Sequence, residues 1–215
     1  PLKGFENLAS VWTTCPVSEL GHIGLEHNQK MANTEKPKKY DIRNRDAGKK
    51  RVVLAGLITE TRELITKKGT RMAFSKIEDL TGACELVIFP DAFSKVETLL
   101  KEERPMLVGG LLETSEEGVP KIIIDNMAPL EEILKKTKRM TFHLEKLPED
   151  QFDRLYSVLL QSPGSTKVDF KVWLQDLGTE VSLEAAGIEG VAISNELLEN
   201  IHSSFGRTDF IEMGI

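Results

Sequence analysis

The sequence has 215 residues, 40% apolar and 29% charged, which suits one or two globular domains with modest cores. It has no apolar run of about 18 residues and no charged segment leading into an apolar one, so the expectation is a cytoplasmic chain with no membrane span and no signal peptide. The net charge of −6 argues against a polyanionic ligand, but Lys36 to Arg71 holds twelve Lys and Arg against four Asp and Glu, a local +8 that leaves −14 elsewhere.

Cys15 and Cys84 are the only cysteines, too few and too far apart for a disulfide framework, and Cys84 sits in an apolar run that predicts a core position. Cys15, His22 and His27 match no zinc-ligand spacing, so no metal and no cofactor are expected. The chain begins at Pro1 rather than methionine, so the expectation is a piece of a longer protein.

In chain order, residues 1–50 show little periodicity and read as a linker or N-terminal extension with one short helix. Arg51 to Thr61 is β-rich, with Gly56 marking a bulge or tight bend. Thr66 to Arg71 forms a basic turn, Met72 to Asp79 alternates as a second strand, Leu80 to Gly82 turns, and Ala83 to Phe89 makes a third strand. Pro90 opens a helix over Asp91 to Glu103 with Phe93, Val96, Leu99 and Leu100 on one face. Two further strands, Pro105 to Thr114 and Val119 to Leu130, flank a turn at Ser115 to Gly118. The order β-β-β-α-β-β predicts a five-stranded OB-fold barrel over residues 51–138, a fold that binds oligonucleotides or oligosaccharides on strands two and three and on two variable loops.

A helix near Glu131 to Lys138 leads to a second domain at 139–215. There, Met140 to Glu145 reads as a strand, Glu149 to Gln161 as an amphipathic helix and Ser162 to Ser165 as a turn. Val168 to Leu174 and Glu180 to Leu183 read as strands, Asn195 to Ser204 as a helix capped by Ser194, and Asp209 to Met213 as a last strand. This β-α-β-β-α-β order predicts a small ferredoxin-like sandwich. The fold class is therefore a β barrel followed by an α+β domain.

Alternation on strand two decides the candidate surface. Ala73, Ser75 and Ile77 share the inward face, so Phe74 and Lys76 point outward, a stacking platform beside a phosphate contact. Arg62 at the end of strand one, and Lys67, Lys68 and Arg71 in the following loop, extend a basic edge. Phe89 shares the outward face or lies under the helix that starts at Pro90. The opposite loop carries Glu116 and Glu117 and should repel phosphate. Glu78 and Asp79 read as strand-end and turn residues. The sequence offers no catalytic residues: it has no phosphate-binding glycine loop, no metal cluster and no nucleophile with an evident base.

The segments VVLAGLI, TKKGTRMAFSKIEDLTG and ELVIFPDAF, between Val52 and Phe93, resemble the OB segment of bacterial DNA polymerase III alpha subunits. The resemblance continues through Val108-Gly109-Gly110, Gln161-Ser162-Pro163-Gly164 and Ser194-Asn195-Glu196-Leu197-Leu198, covering about residues 50 to 215, while residues 5 to 40 match only loosely. Pro1-Leu2 is similar to the end of the Gly-His-Pro-Leu stretch that precedes this region in the family. The resemblance implies single-stranded template DNA as the ligand of the barrel and the clamp-loader tau subunit as the partner of the last domain. It also implies that the polymerase domains, with their metal-binding aspartates and main sliding-clamp motif, lie upstream in the same chain. Two alternatives stand beside it. One is a replisome protein-interaction module without DNA binding; the other is an anticodon-binding OB module of an aminoacyl-tRNA synthetase, which would need a catalytic domain downstream.

Overall fold

The computed structural model describes residues 6–32, 49–115 and 117–214. They form helices α1 (Glu6–Trp12) and α2 (Leu20–Ala32), strands β1 (Lys50–Ile65), β2 (Arg71–Glu78) and β3 (Ala83–Ile88), and helix α3 (Pro90–Val96). Strands β4 (Met106–Thr114) and β5 (Pro120–Pro129), helix α4 (Leu130–Lys136), strand β6 (Arg139–His143) and helix α5 (Phe152–Leu160) follow. Strands β7 (Pro163–Leu174) and β8 (Thr179–Glu184), helix α6 (Asn195–Phe205) and strand β9 (Ile211–Gly214) complete the chain. The described residues fall into two compact units, 13–130 and 131–214, the second including residues 6–12.

The first unit is a closed five-stranded barrel in the order β1-β2-β3-β5-β4, an OB fold. β1 is long enough to serve two neighbours, pairing β4 from Lys50 to Gly56 and β2 from Leu57 onward. At the switch, Gly56 lies so close to β2 that a Cβ there would stand 2.5 Å from the Glu78 carbonyl oxygen. The register shift falls later, between Thr59 and Arg62, so Gly56 is the bend and Glu60 the bulge. Inward alternation fills the barrel with Leu54, Ile77, Leu86, Ile88, Val108 and Ile122, all almost wholly buried. Cys84 joins them. Helix α3 stops at Val96, shorter than expected, and a 3-10 turn at Leu99–Lys101 carries its apolar face on to Leu100.

The linker expected over residues 1–50 is corrected where the structure describes it. Thr14 N donates to Val53 O (2.8 Å) and Val53 N to Thr14 Oγ1 (2.9 Å), tying the segment to β1. Val17 N donates to Asp79 Oδ2 (2.8 Å), while the other carboxylate oxygen accepts from Thr81 N and Gly82 N. Cys15, Val17 and Leu20 are thereby buried in the barrel core. Hydrophobic residues spaced too irregularly to signal a helix thus serve as a plug.

In the second unit the elements run β6, α5, β7, β8, α6, β9, and the four strands form one sheet in the order β8-β7-β6-β9. This corrects the ferredoxin-like expectation. That sandwich splits its βαβ unit, whereas here β6 and β7 pair directly in parallel, so β8 takes the outer edge. Of the turn expected at Ser162 to Ser165, Pro163 to Ser165 are instead the start of β7. Gly164 N donates to Gly190 O and Ala192 N to Ser162 O, so a distant segment supplies the ladder that holds these residues extended. Helix α6 begins at Ser194, whose Oγ accepts from Leu197 N (3.1 Å), and ends at Gly206 with φ 69°. Phe142, Leu155, Leu198, Ile201 and Phe210 form the core, and α1 adds Val11 to its edge.

Candidate nucleic-acid interface

The outer surface of β1–β3 is built by register. Arg62 stands opposite Phe74, Phe74 opposite Val87, and Val87 beside Ile123. Because Ala73, Ser75 and Ile77 are buried inside, Phe74 and Lys76 face out and are half-buried, while Arg62 is exposed. Val87, although on the outer face, is only 6% exposed between its neighbours. The result is an apolar row that begins with a guanidinium, the arrangement a stacked base beside a phosphate requires.

The next row alternates in charge. Lys76 stands opposite Glu85, Glu85 beside Lys121, and Lys121 opposite Glu113. Glu113 also accepts from Lys49 (2.6 Å), and these two ammonium groups, Lys49 first, hold its carboxyl below the usual range. Lys76 is bonded to Glu60 (2.6 Å), which raises its pKa. Each of these three lysines therefore already has a carboxylate partner, Lys49 and Lys121 sharing one.

The turn between β1 and β2 differs. Thr66 and Thr70 close it through backbone and hydroxyl hydrogen bonds, Gly69 supplies φ 79°, and Lys67 and Lys68 are exposed at its tip. Among the described residues neither lysine, nor Arg62, makes a salt bridge. Arg71 bridges Glu63 (2.5 Å) and Glu97 (2.8 Å) and lies 4.9 Å over the Phe93 ring, so it braces the loop against α3. The same hydrogen bond holds the Glu63 carboxyl below its ordinary range. Phe89 is the N-cap residue of α3 and is 44% exposed. Of the basic window, Lys36, Lys38, Lys39, Arg43 and Arg45 lie outside the described residues, as does Glu116.

Sequence reasoning missed how the opposite loop is covered. Helix α2 rests on the β4–β5 hairpin through two glycines: a Cβ on Gly21 would meet Gly118 O at 2.8 Å, and one on Gly24 would meet Thr114 Oγ1 at 1.8 Å. The i, i+3 glycine spacing was the available signal. A cleft of about 540 Å³ lies beside this contact, lined by His27, Asn28, Lys49, Glu113 and Lys121 among others. Burial pushes the Cys15 thiol up to about 11 and the Cys84 thiol up to about 12, so neither is a nucleophile at neutral pH. No cluster of three or more His, Cys, Asp or Glu among the described residues could hold a metal. No helix there is long and apolar enough to cross a membrane.

The closed barrel is an OB fold, and residues 52–130 match the family model for the OB-fold nucleic acid binding domain of the tRNA anti-codon type. Part of the chain is also similar to a part of the DNA polymerase III alpha subunits. It is 35% identical to the Thermus aquaticus subunit over 58% of this chain and 10% of the relative, and 34% identical to that of Halalkalibacterium halodurans over 52% and 10%. Against the Escherichia coli K12 subunit it is 24% identical over 72% of this chain and 14% of the relative. It thus spans between a tenth and a seventh of the length of these relatives.

Proposed function

We propose that this chain is a non-catalytic part of a replicative DNA polymerase alpha subunit whose barrel holds single-stranded template DNA. The observation that carries this reading is the cross-strand pair Arg62 and Phe74 beside the unneutralised Lys67 and Lys68. Phe74 stacks a base, while Arg62 and the two lysines meet phosphates. Lys76, Arg71 and Phe89 flank the path and contribute less, since Lys76 and Arg71 already have carboxylate partners. In this reading residues 51–138 are the DNA-binding domain, 139–215 a docking domain, and the polymerase chemistry belongs to upstream domains of the same cytoplasmic protein.

Fluorescence anisotropy with a labelled oligothymidylate tests the barrel. Three phosphate contacts on a single strand give a log-log salt slope of about −2, so affinity should fall about twentyfold between roughly 50 mM and 200 mM salt. Binding that is absent at low salt removes the reading and favours a protein-interaction module without DNA binding, which the internal pairing of Lys49, Lys76 and Lys121 with Glu113 and Glu60 supports.

The second unit is assigned to the clamp-loader tau subunit, and its β7–β8 hairpin offers the surface. Val172 pairs with Val181 and Phe170 with Leu183, so the apolar face that begins in the core runs on along the hairpin. Leu174 and Leu183 are exposed on that face and Leu177 at its turn. Leu174→Asp with Leu183→Asp should weaken capture by purified tau subunit at least tenfold and leave oligonucleotide binding unchanged. Undiminished capture would move the docking site elsewhere.

A further inference from the structure

Glu60 is the one described non-glycine residue in the left-handed region, with φ 44°. The register explains its position. Thr59 faces Lys76 and Arg62 faces Phe74, so Glu60 and Thr61 together oppose Ser75. Buried Ser75 holds this bulge by donating to Thr59 O (3.2 Å) and sharing a 2.8 Å hydrogen bond with Thr61 Oγ1. Without the extra residue, strict alternation would turn Glu60 into the barrel and set Thr61, not Arg62, against Phe74. The bulge therefore sets Arg62 opposite Phe74 in the ladder and a carboxylate on the outer surface, 2.6 Å from Lys76 Nζ.

We infer that Glu60 is an internal counter-ion that competes with nucleic-acid phosphate for Lys76, limiting both the affinity and the salt dependence of the β1–β3 face. This inference rests on the DNA-binding reading above. The pair is well placed for exchange, because the Lys76 side chain is 45% exposed and that of Glu60 68%. Water and phosphate reach both partners, and such a pair is weak enough to open. Glu85, opposite Lys76 across the strands, and Glu78 add to the negative field around the ammonium but are not bonded to it. A strand that takes Lys76 must displace Glu60, so the wild-type face works through Arg62, Lys67 and Lys68.

The test is a double-mutant cycle in the full chain, read by anisotropy with oligothymidylate over a salt series for wild type, Glu60→Gln, Lys76→Ala and the double variant. Glutamine keeps the size and backbone of Glu60 while removing its charge. Glu60→Gln should bind up to about fivefold tighter, with a salt slope steeper by about 0.7, the signature of one more phosphate contact on a single strand. Lys76→Ala should change wild-type affinity less than twofold, yet in the Glu60→Gln background it should erase the whole gain. If wild type binds and Glu60→Gln is no tighter, or if its gain survives Lys76→Ala, the inference is overturned while the DNA-binding reading stands. If wild type itself fails to bind at low salt, the DNA-binding reading falls and this inference with it.

Discussion

Gly110→Ala should unfold the barrel about 10 °C earlier than wild type, whereas Gly109→Ala, one residue away, should cost little. The two glycines sit where β4 crosses a register shift against β5, Gly109 facing Asn126 and Gly110 facing Ile124, with Asp125 as the extra residue. A methyl group on Gly110 would stand 2.3 Å from Ile123 O and 2.9 Å from its carbonyl carbon, both backbone atoms fixed in the ladder. The strands must separate to admit it. Overpacking of this kind costs about 3 kcal/mol, a large share of the roughly 5 to 15 kcal/mol that holds a domain together, and about 3 kcal/mol corresponds to a shift on the order of 10 °C at this size. On Gly109 the methyl would meet Asn126 Oδ1 at 2.2 Å, but that is the far end of an exposed side chain free to rotate. Far-ultraviolet circular dichroism should show the earlier transition in Gly110→Ala and not in Gly109→Ala. Equal melting of the two variants would refute the backbone clash as the cause.

How much of this was readable in advance follows from where the information resides. The barrel was legible because alternation on β2 is uninterrupted: Ala73, Ser75 and Ile77 inward, Phe74 and Lys76 outward, as the burial pattern has it. The bulge was not, because alternation from inward Ile58 would send Glu60 and Arg62 into the barrel without saying which residue is the extra one. Only the pairing with Ser75 reveals the extra residue. Glycine spacing in α2 announces a close approach but not to what, and the partner, Thr114, lies ninety residues on. The second unit shows the same limit. The order of its elements could be read locally, but whether β8 inserts between β6 and β7 or stays at the edge depends on pairings that no local pattern encodes. The candidate cations were found by composition, yet composition could not separate Lys67 and Lys68 from Arg71 and Lys76, which the fold binds to its own carboxylates.

Phe74→Ala should weaken oligonucleotide binding between about fivefold and 150-fold, the equivalent of the roughly 1 to 3 kcal/mol that one base stacked on an aromatic ring contributes. The ring is half-buried on the outer face between Arg62 and Val87, so its removal takes away the platform without opening the barrel interior. Loss of packing and loss of stacking separate in Phe74→Leu, which keeps most of the apolar contact with Val87 but offers no π face. It should bind nearly as poorly as alanine, while Phe74→Trp should bind at least as well as wild type. The salt slope separates the ring from the cations. Phe74 carries no charge, so its variants shift the line of log affinity against log salt without tilting it. Lys67→Ala with Lys68→Ala should instead flatten that line by about 1.4, two phosphate contacts on a single strand. Wild-type affinity in Phe74→Leu would mean that the ring serves as packing alone, and a slope changed by Phe74→Ala would mean that the cations and the ring do not act as separate parts of one surface.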